Sequence, residues 1–332
     1  MTLRDANVVE AGDVTASAGA RRVPSRALGL SVAAVLAAAL IWSSSFAVTK
    51  VALAEVPPMT IGALRFVLAA LVLGVLVHAK QDKRLPTVRQ RITIGIAGLL
   101  GISLYFALEN VGVDLASASD ATLIVASYPI ITLVLELLLG RAGFSVVRLV
   151  GMLVAIGGVW LVVRDSATDH GADHLLGDVI LILGGVVWAA YNLVAQRDKS
   201  GASPIVVTYY QTVAGAGGFV VLSLFEIDRW SVPSPGGAVR IAFLAIVCSV
   251  VAFLLYNYGL RGLVPSVAVN LLNIVPVAGL GWAVLLADET LSGTQVVGAA
   301  VVILGVVLGL YRDSRDGAEA GTEREEAPVE GR

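Results

Sequence analysis

Apolar runs of about twenty residues alternate with short polar connections along most of the chain. A helix that crosses a bilayer needs about 20 mainly apolar residues. Strands of a membrane β-barrel would be about half as long and would alternate apolar with polar positions, which these runs do not do. The pattern therefore predicts an all-α integral membrane protein with ten transmembrane helices, at residues 28–49, 58–78, 92–109, 117–139, 146–163, 176–196, 204–225, 238–258, 264–286 and 293–311.

Two polar tails flank these helices. Residues 1–26 mix Arg, Asp, Ala, Gly and Ser without apolar periodicity, and residues 313–332 are charged and rich in Glu. Both compositions predict flexible segments. Arginines precede the first apolar run, as they do in a signal peptide, but that run is too long for a signal-peptide core and further spans follow. A retained first helix is therefore expected.

Composition agrees with a membrane protein and removes several function classes. The chain is 57% hydrophobic and 14% charged, whereas about 25% of the residues of a soluble domain are charged. The net charge of -2 gives no indication of a nucleic-acid partner. Cys248 is the single cysteine, so neither an intrachain disulfide nor a cysteine-based metal site is expected.

The distribution of Lys and Arg predicts the orientation. Cytoplasmic loops of membrane proteins carry an excess of these residues. With a cytoplasmic N-terminus, all but five of the 23 Lys and Arg residues fall in cytoplasmic segments. Arg164, Arg229 and Arg240 would lie outside, and Lys50 and Arg65 fall at or within spans. Both termini are therefore predicted to be cytoplasmic, and the Ala, Val and Gly bias is compatible with a bacterial plasma membrane.

The two halves of the chain resemble each other. The segment NVGVDLASASDATLIVASYP (110–129) aligns with NYGLRGLVPSVAVNLLNIVP (257–276), and the aligned residues lie 147 positions apart. Each half, 28–163 and 176–311, contains five predicted spans. Because five is odd, the second half must enter the membrane from the opposite side, which gives an inverted-topology repeat. Secondary transporters use this architecture for alternating access and bind substrates near the midplane.

The stretch WSSSFAVTK (42–50) places polar residues at the outer end of helix 1. Trp42 and Ser45 share one helix face by their spacing. The serines suit close helix packing or a polar cavity. Trp188 is the repeat mate of Trp42 at a similar central depth, which is unusual for a membrane Trp. Lys50 is expected either to reach the outer interface or to form a gate contact with Glu109.

Arg65 lies about two helical turns inside the outer end of helix 2. A charge at this depth is costly and should face a cavity or a partner. Two interpretations remain open. Arg65 either binds a substrate carboxylate or phosphate, or it makes a structural ion pair with Asp120 or Glu109 or extends outward to the interface.

Three acidic residues are candidates for coupling or gating, each with a simpler alternative. Asp120 lies in the first turn of helix 4, where it can cap the helix or carry a proton. Glu136 near the inner end of helix 4 can accept a proton or extend to the interface. Glu109 ends helix 3 and is expected to face water unless it contacts Lys50.

The second half supplies further polar candidates. Buried amides and hydroxyls must find partners, so they either tie helices together or contact a ligand. Helical prolines remove a backbone hydrogen bond and can act as hinges. The predicted cavity residues are Trp188, Tyr191, Asn192, Gln211, Tyr256, Asn270 and Asn273, and the predicted hinges are Pro129 and Pro276.

Taken in order, these features resemble the drug/metabolite transporter superfamily, and specifically its ten-helix members with two tandem EamA repeats. The matching segments are WSSSFAVTK, LRF (64–66), the prolines of helices 4 and 9, and DETLSGTQVVGAAVVILGVVLGL (288–310). The resemblance implies a secondary transporter, most often an exporter of amino acids or other small metabolites. The acidic residue after helix 9 matches Glu289, but the position 147 residues earlier is Ala142.

The sequence therefore predicts a secondary exporter of small metabolites, with amino acids as leading candidates, and a cavity formed by helices 1–4 and 6–9 while helices 5 and 10 lie outside it. Proton coupling is one option, since no ATP-binding motif is present. A multidrug carrier or a sugar-phosphate or nucleotide carrier is the alternative. A membrane enzyme is least favoured, because the predicted spans lack a catalytic cluster. DHGADH (169–174) is a weak zinc pattern, so no metal or cofactor is expected. The oligomeric state is not indicated.

Overall fold

A computed structural model of the chain describes residues 25–80, 85–139, 146–169, 172–195, 200–259, 263, 271–272 and 274–311. The elements in these residues are helical. They are α1 (Ser25–Leu53), α2 (Pro58–Lys80), α3 (Val88–Leu115), α4 (Ala118–Ala126 continuing as Tyr128–Leu138), α5 (Val146–Asp169), α6 (Ala172–Ala195), α7 (Pro204–Ser223), α8 (Pro235–Ala242 continuing through Phe243–Val251 to Ala252–Gly259), α9 (Ile274–Ala287) and α10 (Gly293–Tyr311).

Seven of the described helices are long and apolar enough to cross a membrane, and three shorter apolar helices lie within α5, α9 and α10. The prediction of an all-helical integral membrane protein is confirmed at this level. One predicted boundary is wrong in a way that matters below. The third helix was expected to end at residue 109, but α3 continues to Leu115. Glu109 therefore lies inside a helix and not at its end.

Local sequence explains where several helices begin. Ser117 precedes α4, and its hydroxyl accepts a hydrogen bond of 2.9 Å from the backbone N–H of Asp120. Ser234 precedes α8 and accepts a bond of 3.0 Å from Gly237 N. These contacts satisfy N–H groups that have no partner within the helix. Pro235 occupies the first turn of α8, where its missing N–H costs nothing.

Two helices contain a π-helical segment at matching positions. The segments are Leu99–Leu104 in α3 and Phe243–Val251 in α8. Adding 147 to the first range gives 246–251, which lies within the second range. π-Helical turns are uncommon and are found frequently at functional sites. Both segments border the cavity described below.

The prolines of α4 and α9 coincide with breaks in helical hydrogen bonding. Around Pro129, the N–H of Ser127 donates to Ile124 O at 2.9 Å, so the turn is tighter than an α-helix before the second part of α4 begins. In the described part of α9, Val275 N donates to Leu272 O at 2.9 Å just before Pro276. The breaks have a local cause in the missing proline donor.

The helices pack in a regular set of pairs. α2 packs along α7, α5 along α10, and α4 against α9. α1 contacts α8 and α9, and α6 contacts α3 and α4. These pairings are unchanged when each helix is exchanged with the helix five places away in the chain. α5 and α10 pack mainly along each other. The other helices therefore surround the centre of the helix bundle.

Candidate functional site

A small enclosed cavity lies between α2, α3, α6, α7 and α8. Its volume is about 30 Å³, whereas one water molecule needs about 10–15 Å³ on the same measure, so the cavity holds about two. It is too small for a metabolite in this conformation. The lining residues are mostly aromatic with a few hydroxyl and amide groups: Phe66, Gly101, Ile102, Phe106, Trp188, Tyr191, Thr208, Gln211, Thr212, Ser249 and Phe253.

Both π-helical segments contribute to this lining. Gly101 and Ile102 come from α3, and Ser249 comes from α8. A Cβ atom at Gly101 would lie 2.5 Å from the ring of Tyr191, so only glycine allows this tyrosine to pack against α3. The apolar pattern does not indicate these segments, because a π turn is a change in backbone hydrogen bonding and not in hydropathy.

Arg65 sits directly behind the cavity wall and is 3% exposed. Its Nε donates a hydrogen bond of 2.9 Å to Ser249 Oγ. The guanidinium carbon lies 4.7 Å from the ring centre of Phe106 and 5.0 Å from that of Phe66. These distances are within the range of a cation–π interaction. All three partners line the cavity.

The alternative roles considered for Arg65 are wrong. Within the described residues, no carboxylate oxygen lies within 4.0 Å of its guanidinium, so it is not ion-paired with Asp120 or Glu109. Its burial excludes an outward extension to the interface. The reason is geometric, since the side chain is directed between α2, α3 and α8, where two phenyl rings and one hydroxyl receive it.

Glu109 is also 3% exposed, so the expectation that it faces water is wrong. The cause is the extra length of α3, which places this residue among neighbouring helices. Its Oε2 accepts a hydrogen bond of 2.5 Å from the hydroxyl of Tyr105. The Tyr105 ring contacts Phe106, with centroids 4.8 Å apart, and Trp188, at 4.9 Å. Glu109 therefore lies one layer behind two cavity residues.

Trp42 and Tyr256 also lie one layer behind the cavity. The Trp42 indole donates a hydrogen bond of 3.0 Å to Cys248 O. Its ring lies 5.2 Å from that of Phe253, which lines the cavity, and 5.3 Å from that of Tyr256. Ser45 donates a bond of 2.7 Å to Trp42 O within its own helix. Ser43 and Ser44 bond in the same way, which suits close packing of α1.

The predicted residues of the second half divide into three groups. Trp188, Tyr191 and Gln211 line the cavity. Asn192 is half-buried on α6 and is not among the lining residues. Asn270 and Asn273 lie outside the described residues, as does the side chain of Glu136 in the first half.

Lys50 caps the C-terminal end of α3. Its Nζ donates to the carbonyl oxygens of Val113 at 2.8 Å, Asp114 at 2.9 Å and Ala116 at 2.6 Å. A cation is stabilised at a helix C-terminus, where carbonyl groups lack partners. The expected contact with Glu109 is not formed, because α3 ends one and a half turns beyond that residue and presents its carbonyls to Lys50 instead.

Two glutamates cap the N-termini of other helices, α4 and α2. Glu289 accepts hydrogen bonds from Ala118 N at 2.7 Å, from Ser119 N at 2.9 Å and from Ser119 Oγ at 2.7 Å. Glu226 accepts bonds from Met59 N at 3.1 Å, and from Thr60 N and Oγ1 at 2.9 Å each. A carboxylate at a helix N-terminus satisfies free N–H groups and opposes the helix dipole. Sequence reasoning did not identify Glu226.

Asp120 is fully buried and joins three helices. One carboxylate oxygen lies 2.7 Å from His174 Nε2 on α6, and the other accepts a bond of 2.8 Å from Gln295 Nε2 on α10. Ser117 caps α4, so Asp120 is free to make these contacts. Asp120, His174 and Asp178 have potential metal-ligand atoms within 4.8 Å of one another. His170 of the same pattern lies outside the described residues.

A further contact lies in the connection between α1 and α2. Glu55 accepts hydrogen bonds from Ser234 N at 2.8 Å and from Arg240 Nη1 at 2.9 Å. The hydrogen bonds from Ser234, with a smaller contribution from Arg240, hold the pKa of Glu55 below its ordinary value. This pair ties the connection to the start of α8.

Two stretches of the chain, residues 29–164 and 175–311, match the EamA-like transporter family. The "Uncharacterized transporter YyaM" of Bacillus subtilis is 29% identical, over 80% of this chain and 88% of the relative. The "Probable amino-acid metabolite efflux pump" of Escherichia coli K12 is 24% identical, over 82% and 92%. The "Uncharacterized inner membrane transporter YedA" of the same strain is 23% identical, over 83% and 89%.

One solved crystal structure has the same fold, with a TM-score of 0.59 at 19% sequence identity. The similarity covers 90% of this chain and 99% of that one. At this level of identity the likeness concerns the fold alone.

Proposed function

The chain belongs to the EamA-like transporter family, and from this premise we propose that it exports small metabolites, amino acids in particular, by alternating access. It is a multi-pass protein of the bacterial plasma membrane. The substrate site is the central cavity between the two repeats. The relatives named above are transporters, which favours a transporter over an enzyme.

The burial of the Arg65 side chain beside the cavity is the observation that carries this proposal. Its guanidinium is permanently charged, and charged residues within a membrane are functional candidates by default. In the described part of the chain, only its Nε donates a hydrogen bond, which leaves both Nη groups available. An arginine fork binds a carboxylate through two parallel hydrogen bonds. An amino acid offers that group, and the aromatic lining suits its side chain.

Several features support alternating access through an inverted repeat of ten spans. The helix pairings are preserved when the halves are exchanged, and the π-helical segment of α3, shifted by 147 residues, falls within that of α8. The cavity is contracted, while Lys50, Glu226 and Glu289 hold the outer helix ends together. We interpret this conformation as closed to the outside. Release of these caps, with bending at Pro129 and Pro276, would open it.

Coupling is assigned to buried carboxyl groups. Asp120 joins α4, α6 and α10 at the outer side, so a change in its protonation would alter contacts among three helices. Glu109 lies nearer the cavity, and Glu136 remains a candidate on sequence grounds. Proton antiport and facilitated export both agree with this arrangement.

The competing substrate classes differ in the charges that they require. A sugar-phosphate or nucleotide carrier would need several cations, but the residues that line the described cavity include no Lys or Arg, and Arg65 alone lies behind them. A multidrug carrier would use the aromatic lining without Arg65. The relative named as an amino-acid metabolite efflux pump favours amino acids.

Counterflow in proteoliposomes tests the proposal. Labelled amino acids and a parallel panel of neutral and cationic drugs are offered to the wild type, to Arg65→Gln and to Arg89→Gln. Arg89 is an exposed arginine at the start of α3 and serves as the control. We expect amino-acid exchange that Arg65→Gln abolishes and Arg89→Gln retains. Exchange of drugs alone, unchanged in Arg65→Gln, would replace the proposal with multidrug efflux.

A further inference from the structure

Arg65 and Glu109 place a cation and a carboxyl group beside the cavity without direct contact between them. Each is 3% exposed. Phe106 lies between them in the chain of contacts, since its ring receives the guanidinium and packs against Tyr105, the hydrogen-bond donor to Glu109. Within the described residues, they form no ion pair.

The two groups are a permanent cation and a buried carboxyl. Arginine is not deprotonated in proteins. The carboxyl of Glu109 accepts a hydrogen bond of 2.5 Å from Tyr105, and a cation that binds beside a carboxyl favours its ionised form. Buried charges normally pair directly, because an uncompensated charge in a low dielectric is expensive. A pair that is buried and still separated has the form of a site prepared for a ligand with two charges of its own.

We propose that Arg65 and Glu109 bind opposite ends of a zwitterionic α-amino acid. The substrate carboxylate binds the guanidinium, and its ammonium binds Glu109 and the neighbouring aromatic faces. Tyr105 is a positioning residue that holds the carboxylate of Glu109 toward the ligand. This inference rests on the proposed function and narrows it, because it requires both charges of the substrate.

The aromatic side chains of the cavity wall determine which substrate side chain is accepted. Trp188 contacts Tyr105 and lines the cavity with Tyr191 and Phe253. Such faces receive apolar side chains and also attract a cation. The site therefore prefers zwitterions with apolar or aromatic side chains over amino acids with an additional charge. The cavity must widen for binding, so these rings move when the substrate enters.

The test compares phenylalanine with two derivatives that each lack one charge. N-acetylphenylalanine keeps the carboxylate alone, and phenylalanine methyl ester keeps the ammonium alone. Counterflow of all three is measured for the wild type, Glu109→Gln, Glu109→Asp and Arg65→Gln. Size-exclusion elution and tryptophan fluorescence verify that each variant is folded.

We expect the wild type to exchange phenylalanine and to reject both derivatives. Glu109→Gln should lower phenylalanine exchange about tenfold or more, because one charge of a buried pair loses its partner, while N-acetylphenylalanine becomes a substrate. Glu109→Asp should retain the wild-type preference. Arg65→Gln should accept the methyl ester in place of phenylalanine. A merely structural Glu109 would not produce this exchange of specificity.

Other results would overturn the inference. If folded Glu109→Gln exchanges phenylalanine at the wild-type rate, Glu109 does not bind the ammonium, and the proposed function stands without it. If folded Glu109→Gln loses all three compounds equally, the residue acts in coupling and not in recognition. If the wild type exchanges no amino acid at all, the proposed function fails and this inference fails with it.

Discussion

Glutamine at position 289 removes a charge at the N-terminus of α4 while keeping the shape of the side chain. In the structure, one oxygen of Glu289 accepts a bond from Ala118 N, and the other accepts two from Ser119. Glutamine keeps one acceptor oxygen, but its amide nitrogen would face N–H donors. Glu289→Gln should therefore weaken the N-terminus of α4 without altering the packing around it.

The size of this effect follows from the contacts. Net contributions of about 1.5–3 kcal/mol are typical of hydrogen bonds to charged groups, but Glu289 is partly exposed and water replaces part of the loss. Replacement of a helix N-cap costs about 0.5–2 kcal/mol. We expect the free energy of local opening at the start of α4 to fall by about 1–2 kcal/mol, which makes the population of the open state about 5–30 times larger.

Hydrogen exchange in lipid nanodiscs measures this opening directly. Peptides that begin at Ala118 should exchange faster in Glu289→Gln by the factor given above, while peptides that begin at Pro58 should not change. Glu226→Gln is the matched control, since its carboxylate caps α2 and should produce the reverse pattern. Unchanged exchange at α4, or equal acceleration at both helices, would refute the capping argument.

The remaining predictions concern stability. In a thermal-unfolding assay, Gly305→Ala should destabilise the protein by about 1–3 kcal/mol, because its Cβ would lie 2.3 Å from the backbone nitrogen of Ala155. Gly157→Ala is the control and should be neutral or stabilising, because no atom lies within 4 Å of that Cβ. Equal losses in the two variants would contradict the packing argument. Because its folded pKa lies below the ordinary value of 4.5, Glu55 contributes stability that is present above that pH and is lost as the pH falls through the folded pKa. When the pH is lowered from 7 through the folded pKa, Glu55→Gln should lose less stability than the wild type. An identical acid-induced loss in both proteins would contradict the stabilisation of the Glu55 carboxylate by the hydrogen bonds from Ser234.

The apolar pattern predicted the helices well, because the requirement for about 20 apolar residues is a property of the bilayer and not of the particular fold. The sequence also identified Arg65 as a residue that must face a cavity or a partner, since a charge within an apolar run is costly. The side chains that contact Arg65 could not be predicted from the sequence. The choice between an ion pair and contacts with Phe66, Phe106 and Ser249 depends on how α2, α3 and α8 meet.

The errors around Glu109 have a common physical cause. The end of α3 could not be placed to within six residues, because residues 110–115 are compatible with either a helix or a connection. The expected exposure of Glu109 to water and its expected contact with Lys50 were wrong for that reason. Glu226 was missed because a cap on another helix leaves no local pattern in its own segment.

A structure with the transported amino acid bound tests the central claim most directly. The account predicts an enlarged cavity in which the substrate carboxylate lies within hydrogen-bond distance of the Arg65 Nη atoms, with the side chain against the aromatic wall. Ligand density away from this cavity, with Arg65 still bonded to Ser249 and both Nη groups unoccupied, would contradict it.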